Sequence, residues 1–141
     1  MVIEMDKAAL TAFLARDFAE VAEDFAITRV DMDVLEVRLN VAARHLRPGG
    51  TVSGPSMFAL ADVAMYLAIL ARLGPVALAV TTNCSIDFMR KPEAGRALIA
   101  QARVLKLGRV LAVGDVIIRS DGVEAPVARA GLTYSIPPAG R

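Results

Sequence analysis

Cysteine and histidine are nearly missing from this 141-residue chain, which has one of each, Cys84 and His45. A single cysteine excludes an internal disulfide and suits a reducing compartment, so the expected location is cytoplasmic. A single histidine cannot build a multi-histidine zinc or iron centre. A Cys–His pair is formally available, but Cys84 alternates with Thr82 and Ile86 as a small core residue does, and His45 reads as a strand-end histidine rather than a base. A surplus of one charge is missing too: sixteen Lys and Arg stand against fifteen Asp and Glu, a formal net charge of +1. That leaves no broad basic face for nucleic acid. No glycine-rich phosphate loop of either standard type is present, which argues against nucleotide hydrolysis and dinucleotide binding. The N-terminus carries Glu4 and Asp6 and lacks a basic region leading into an apolar stretch, so no signal peptide is expected. The longest apolar run, about Met57 to Ala71, is broken by Asp62 and followed by Arg72; it is short for a transmembrane span and reads as a buried core helix.

Apolar residues, by contrast, are abundant, at 55% of the chain. In so short a sequence that excess implies a surface covered by another copy. Within the longest apolar run stands the residue of most interest, Asp62. Phe58 and Ala59 precede it and Met65 and Tyr66 follow it at helical spacing. A helix apolar on all sides is normally buried, and an unpaired buried carboxylate costs several kcal/mol or takes up a proton. Either a neighbouring group satisfies Asp62 structurally, or its environment serves catalysis.

The order of elements follows from periodicity. Leu10, Phe13, Leu14, Phe18 and Val21 give an amphipathic helix over about 6–24. A short strand over Ile27–Val30, a turn at Asp31–Asp33, and an alternating strand from Leu35 to Val41 come next. Residues 44–52 form a glycine- and proline-rich loop. Ser53 is placed to cap a helix over about 54–73, with Pro55 in its first turn and Gly74-Pro75 ending it. Four antiparallel strands complete the chain. In the first, Thr82, Cys84, Ile86 and Phe88 face one way and Thr81, Asn83, Ser85 and Asp87 the other. Lys106–Arg109 and Asp121-Gly122 mark hairpin turns, and Pro126 near the start of the last strand, from about Glu124, marks an edge or irregularity. The expected fold class is α+β, one antiparallel sheet wrapped round one long helix, in a single domain over 1–141.

From about Leu35 to Tyr134 the sequence resembles the hotdog-fold thioesterases, in particular the branch with the phenylacetyl-CoA and 4-hydroxybenzoyl-CoA thioesterases. The resemblance lies in the order and spacing of Gly50-Thr-Val-Ser-Gly-Pro-Ser-Met-Phe-Ala-Leu-Ala-Asp62, in Ile86-Asp-Phe-Met-Arg-Lys-Pro-Glu-Ala-Gly95 and in Leu107-Gly-Arg109. It implies an acyl-CoA thioesterase in which Gly54 and Asp62 from different subunits of a homodimer meet at one thioester. A tetramer of two dimers is a further expected assembly. The resemblance also implies a role for Thr81 in orienting water, and neither a metal nor a separate cofactor beyond the coenzyme A of the substrate. Physical chemistry agrees on Gly54: a helix N-terminus offers free N–H groups and a favourable dipole to a developing oxyanion, and glycine permits close approach. Asp62 lies roughly 12 Å further along the same helix, too far to serve the same carbonyl. It would act as a general base for water or as a nucleophile.

The chain also departs from that family. Ser53 stands where the family has histidine, Pro55 replaces a glycine and brings no N–H, and Arg47 takes the place of an asparagine. Ser53 serves as a cap rather than a nucleophile, since no histidine lies near it in sequence. With Ser53, Pro55 and Arg47, the expected substrate-binding set takes in Asn83 and the turn cations Arg90, Lys91 and Arg109, which are placed to meet phosphates. Phe58, Met65, Tyr66 and Met89 suit aryl or medium aliphatic acyl groups. Two other readings stay open: a protein that binds acyl-CoA without hydrolysing it, supported by the departures, and a dehydratase, for which His45 is badly placed.

Overall fold

The long apolar helix organises the molecule. In the computed structural model, which describes residues 2–138, it runs over Gly54–Leu73 and is called α3 here. Before it come α1 (Lys7–Asp17), α2 (Ala19–Ala22), β1 (Phe25–Val30), β2 (Leu35–Leu39) and a single 3-10 turn at Ala43–His45. After it come β3 (Val80–Phe88), β4 (Leu98–Leu107), β5 (Leu111–Ser120) and β6 (Ala128–Ser135). All six strands form one antiparallel sheet in the order β1-β2-β4-β5-β6-β3, so β1 and β3 are its edges. The sheet wraps round α3 as the sequence pattern implied.

The sheet holds α3 closely because its inner face is made of small residues. Ala100, Ala102, Ala112, Ala128 and Ala130 are all at most 1% exposed, and opposite them lie Leu60, Leu67, Ile69 and Leu70 of α3, each 0% exposed. Large side chains of the helix thus fill the space that alanines leave, which close packing requires. Gly114 on β5 takes this furthest: a Cβ there would lie 2.6 Å from the Met65 sulfur and 2.5 Å from the Arg103 carbonyl oxygen.

Both ends of α3 follow their sequence signals. Ser53 is extended and its Oγ accepts from the Ser56 N–H at 3.3 Å, while Gly74, at φ +89°, ends the helix and donates to Leu70 O. By length and mean hydropathy (1.6 over its best window), α3 could cross a membrane, more than the shorter apolar run suggested; 67% of that window is buried inside the fold, so it is a core helix.

Four expected boundaries move, the first strand beginning at Phe25 rather than Ile27. The helix read over 6–24 breaks at Phe18, which leaves the helical region at φ −138°, ψ 45° and sets its ring edge-on against Tyr66 at 6.1 Å. The second strand stops at Leu39, where the Asn40 N–H turns to Asp24 O. The last strand begins at Ala128 rather than Glu124, because Pro126 interrupts the approach and only from Ala128 does β6 pair on both sides.

Candidate active site

Asp62 is neither unpaired nor enclosed by apolar groups. It is half-buried, and the stripe of α3 that it shares with Pro55, Phe58 and Ala59 is open at the surface. The expectation of a helix covered on every side therefore fails along this one face, which β3 and β6 only border. The carboxylate is held by two hydroxyls: Thr81 Oγ1 and Tyr134 OH each donate to Asp62 Oδ1, both at 2.6 Å. The Tyr134 hydroxyl also approaches the Asp62 main-chain carbonyl at 2.9 Å.

A β-bulge brings Thr81 to this site. Thr81 pairs with Tyr134 while Asn83 pairs with Thr133, so one extra residue is inserted in β3 at this point. The bulge puts Thr81 on the helix side with Cys84 and Ile86, which pack on the core, and leaves Thr82 exposed. The strict alternation read from the sequence, with Thr82 facing inward and Thr81 outward, is reversed there for that reason. Asn83 is exposed on the outer face of the strand, away from Asp62.

Tyr134 was not singled out by sequence reasoning. The chain has two tyrosines, Tyr66 and Tyr134, and both border the Asp62 cavity, of about 400 Å³, which Phe18, Val63, Ala79 and Thr81 also line. Their rings stack with centroids 6.2 Å apart. A polar-tipped aromatic in line with the apolar alternate positions Ala128, Ala130 and Leu132 was the available signal, because a buried phenol needs an acceptor. Burial, then the neighbouring Asp62 charge and hydrogen bond, push the Tyr134 phenol far above its ordinary value, so it remains a hydroxyl donor. Burial and then the Asp62 charge also push the Cys84 thiol up, which makes it a poor nucleophile.

Gly54 opens on a different cavity. That space, of about 580 Å³, is bordered by Arg47, Gly54, Met57, Phe88, Arg90 and Lys91. The preceding loop is folded back by a Leu46–Val52 bridge, by Gly49 and Gly50 at positive φ, and by the Ser53 N–H donating to His45 O. Gly54 thereby becomes the first residue of α3. No group among the described residues accepts its N–H, and Pro55 beside it has none to offer. The Phe88 ring lies against Gly54; a Cβ there would come within 3.3 Å of it. Arg47, Arg90 and Lys91 have no carboxylate partner among the described residues, although Arg90 donates to Pro126 O. Arg109 sits at the exposed β4–β5 turn and borders neither cavity.

His45 is structural. Its Nδ1 accepts from the Ala42 N–H at 2.8 Å and its Nε2 lies 3.4 Å from Asp24 Oδ2. Burial pushes the Asp24 carboxyl up, but hydrogen bonds from Arg44 and His45 outweigh it and hold the group below its ordinary value. No cluster of His, Cys, Asp and Glu able to hold a metal occurs among the described residues.

A six-stranded antiparallel sheet round one long helix, with a polar residue in that helix and a glycine at its start, is the hotdog arrangement. Residues 49–126, more than half the chain, match the family model for the thioesterase superfamily, and the chain belongs to that family. A protein from Deinococcus radiodurans, assigned as an esterase, is 33% identical over 105 residues, which cover 74% of this chain and 68% of that protein. The crystal structure of an assigned thioesterase from Silicibacter sp. TM1040 is similar at 60% identity and TM-score 0.92, covering 98% of this chain and 96% of the other. A mutant of the phenylacetic acid degradation protein PaaI from Thermus thermophilus is similar at 32% identity and TM-score 0.71, covering 85% and 98%.

Proposed function

We propose that this protein is an acyl-CoA thioesterase that hydrolyses an acyl- or aryl-CoA thioester in the cytoplasm, at sites shared between the two protomers of a homodimer. The observation that carries this reading is the separation of its two halves: Gly54 borders one cavity and Asp62 another. One chain cannot bring both to one carbonyl, whereas two chains packed along the open face of α3 can. The edge strand β3 supports such packing. It is nine residues long, it has a partner on one side only, and Val80 and Phe88 at its ends are 55% and 53% exposed. An exposed edge strand of that length, with its main-chain groups free on one side, invites pairing with another strand.

In this reading Asp62 takes a proton from water, and the water oxygen bonds to the thioester carbon. The Gly54 N–H receives the negative charge that develops on the carbonyl oxygen. Collapse of the tetrahedral intermediate breaks the carbon–sulfur bond, and the thiolate leaves with the proton that Asp62 held. In the nucleophilic variant an Asp62 oxygen bonds to the carbonyl carbon and the carbon–sulfur bond breaks, releasing the thiolate, which takes a proton from water; water then hydrolyses the mixed anhydride and restores the carboxylate. Arg47, Arg90 and Lys91, beside Gly54, face the phosphates of coenzyme A. A binder that does not hydrolyse is the second reading, favoured by the missing N–H at Pro55 and by the Phe88 ring against Gly54.

Free-thiol release across a panel of acyl- and aryl-CoA substrates separates the two readings; tight binding without release on every substrate would favour the binder. A complementation experiment tests the shared site. Gly54→Pro removes the N–H at a first-turn position whose backbone suits proline, at the cost of a small shift of the Phe88 ring. Mixed with Asp62→Asn after dissociation and reassembly, it should regain activity that neither variant has alone. Continued inactivity of verified mixed dimers would place both groups within one chain.

A further inference from the structure

We propose that Tyr134 is a positioning residue of the hydrolytic site: its hydroxyl, together with that of Thr81, fixes one oxygen of Asp62 and leaves the other to act on the thioester. The inference rests on the reading of Asp62 as base or nucleophile and adds to it the group that decides which carboxylate oxygen reacts.

The two donors reach Asp62 from one side. Thr81 Oγ1 and Tyr134 OH both lie 2.6 Å from Oδ1, whereas no donor among the described residues reaches Oδ2. Among the described residues no buried side-chain oxygen lacks a partner, so Oδ2 must be open to solvent. A free aspartate rotates about its terminal bond and exchanges its two oxygens, because that torsion is broad and two-fold. Two hydroxyls on a single oxygen stop the exchange and keep the same oxygen toward the cavity.

Tyr134 is built to hold its place. It is 2% exposed, sits on a strand paired on both sides, and stacks on Tyr66 one turn beyond Asp62. The main-chain carbonyl of Asp62, at 2.9 Å, could satisfy the phenol on its own, so a purely structural tyrosine would not need the carboxylate. Its closest contact is nevertheless Oδ1, and the bulge in β3 delivers Thr81 to that same atom. With its proton held by burial and by the adjacent charge, the phenol donates throughout the working pH range and does not compete as a base.

The test compares Tyr134→Phe, Thr81→Val, Thr81→Ser and the double variant Tyr134→Phe/Thr81→Val with wild type, as intact oligomers, in steady-state thioester hydrolysis. Tyr134→Phe keeps the ring stack, and its kcat should fall about 10–100-fold, as loss of orientation does, with KM within about threefold. Thr81→Val should show the same split and Thr81→Ser should recover most of the rate. The double variant should lose less than the product of the two single losses, since both donors serve one atom. Full kcat in folded Tyr134→Phe, with Asp62→Asn inactive, would overturn the inference and leave the thioesterase reading standing. Full kcat in Asp62→Asn would overturn both. If Tyr134→Phe does not fold, Thr81→Val decides: unchanged kcat there shows that anchoring Oδ1 is irrelevant and overturns the inference.

Discussion

Replacing Asp62 by asparagine separates chemistry from architecture at the point where they meet. The two side chains are nearly isosteric, and an asparagine Oδ1 can still accept the Thr81 and Tyr134 hydroxyls that now lie 2.6 Å from the carboxylate. Two charge-assisted hydrogen bonds become neutral ones, a loss of about 1 kcal/mol each. Against that, a half-buried charge no longer has to be desolvated, which offsets much of the loss. The net change in stability should be within about 2 kcal/mol, a few degrees in melting temperature for a chain of this length. Turnover should fall far more. Removing a general base costs about 100- to 10,000-fold, and an amide can neither take the proton from water nor form the anhydride. Thiol release from the best substrate of a panel, measured beside calorimetric melting and sedimentation, checks both halves. Unchanged turnover in a folded dimeric variant would refute the assignment of Asp62. A drop of tens of degrees would show instead that the carboxylate is chiefly a structural acceptor for Thr81 and Tyr134.

Further outcomes follow from packing, capping and titration. Gly114→Ala should lower stability by about 1–3 kcal/mol, because Met65 can shift away from a new Cβ but the Arg103 carbonyl, 2.5 Å from it, belongs to a paired strand; an unchanged denaturant midpoint would refute that. Ser53→Ala should cost about 1 kcal/mol as a lost cap and leave turnover nearly intact, and Pro55→Gly should raise the rate or leave it unchanged; an acyl group trapped on Ser53 in wild type, seen by mass spectrometry, would contradict the capping role. The raised Tyr134 phenol makes stability depend on alkaline pH. Its contribution is complete below about pH 9 and is lost as pH rises past about 10, where the unfolded chain gives up the phenolic proton and the folded one keeps it. Urea unfolding from about pH 9 to about pH 11 should show a shallower decline in Tyr134→Phe, and an equal decline would refute the assignment.

Much of this protein was determined by local sequence. Alternation and turn residues fix where strands and hairpins lie, and α3 appears at 54–73 because Ser53, Pro55 and Gly74 act through bonds to their own neighbours. The family was legible for the same reason, since Gly54 and Asp62 keep their spacing along one continuous helix. Tertiary structure decided the rest. The break at Phe18 comes with a contact to Tyr66, 48 residues away in sequence, and no helical periodicity announces it. The face that Thr81 presents depends on a register shift against β6, and one inserted residue reverses every side chain on its near side, so alternation read along the strand alone placed it outward. Asp62 looked like an uncompensated charge because its two donors come from β3 and β6, and Tyr134 lies 72 positions beyond it in the chain. Local patterns specify elements because their bonds close within a few residues; a site assembled from three elements exists only once the sheet has wrapped the helix.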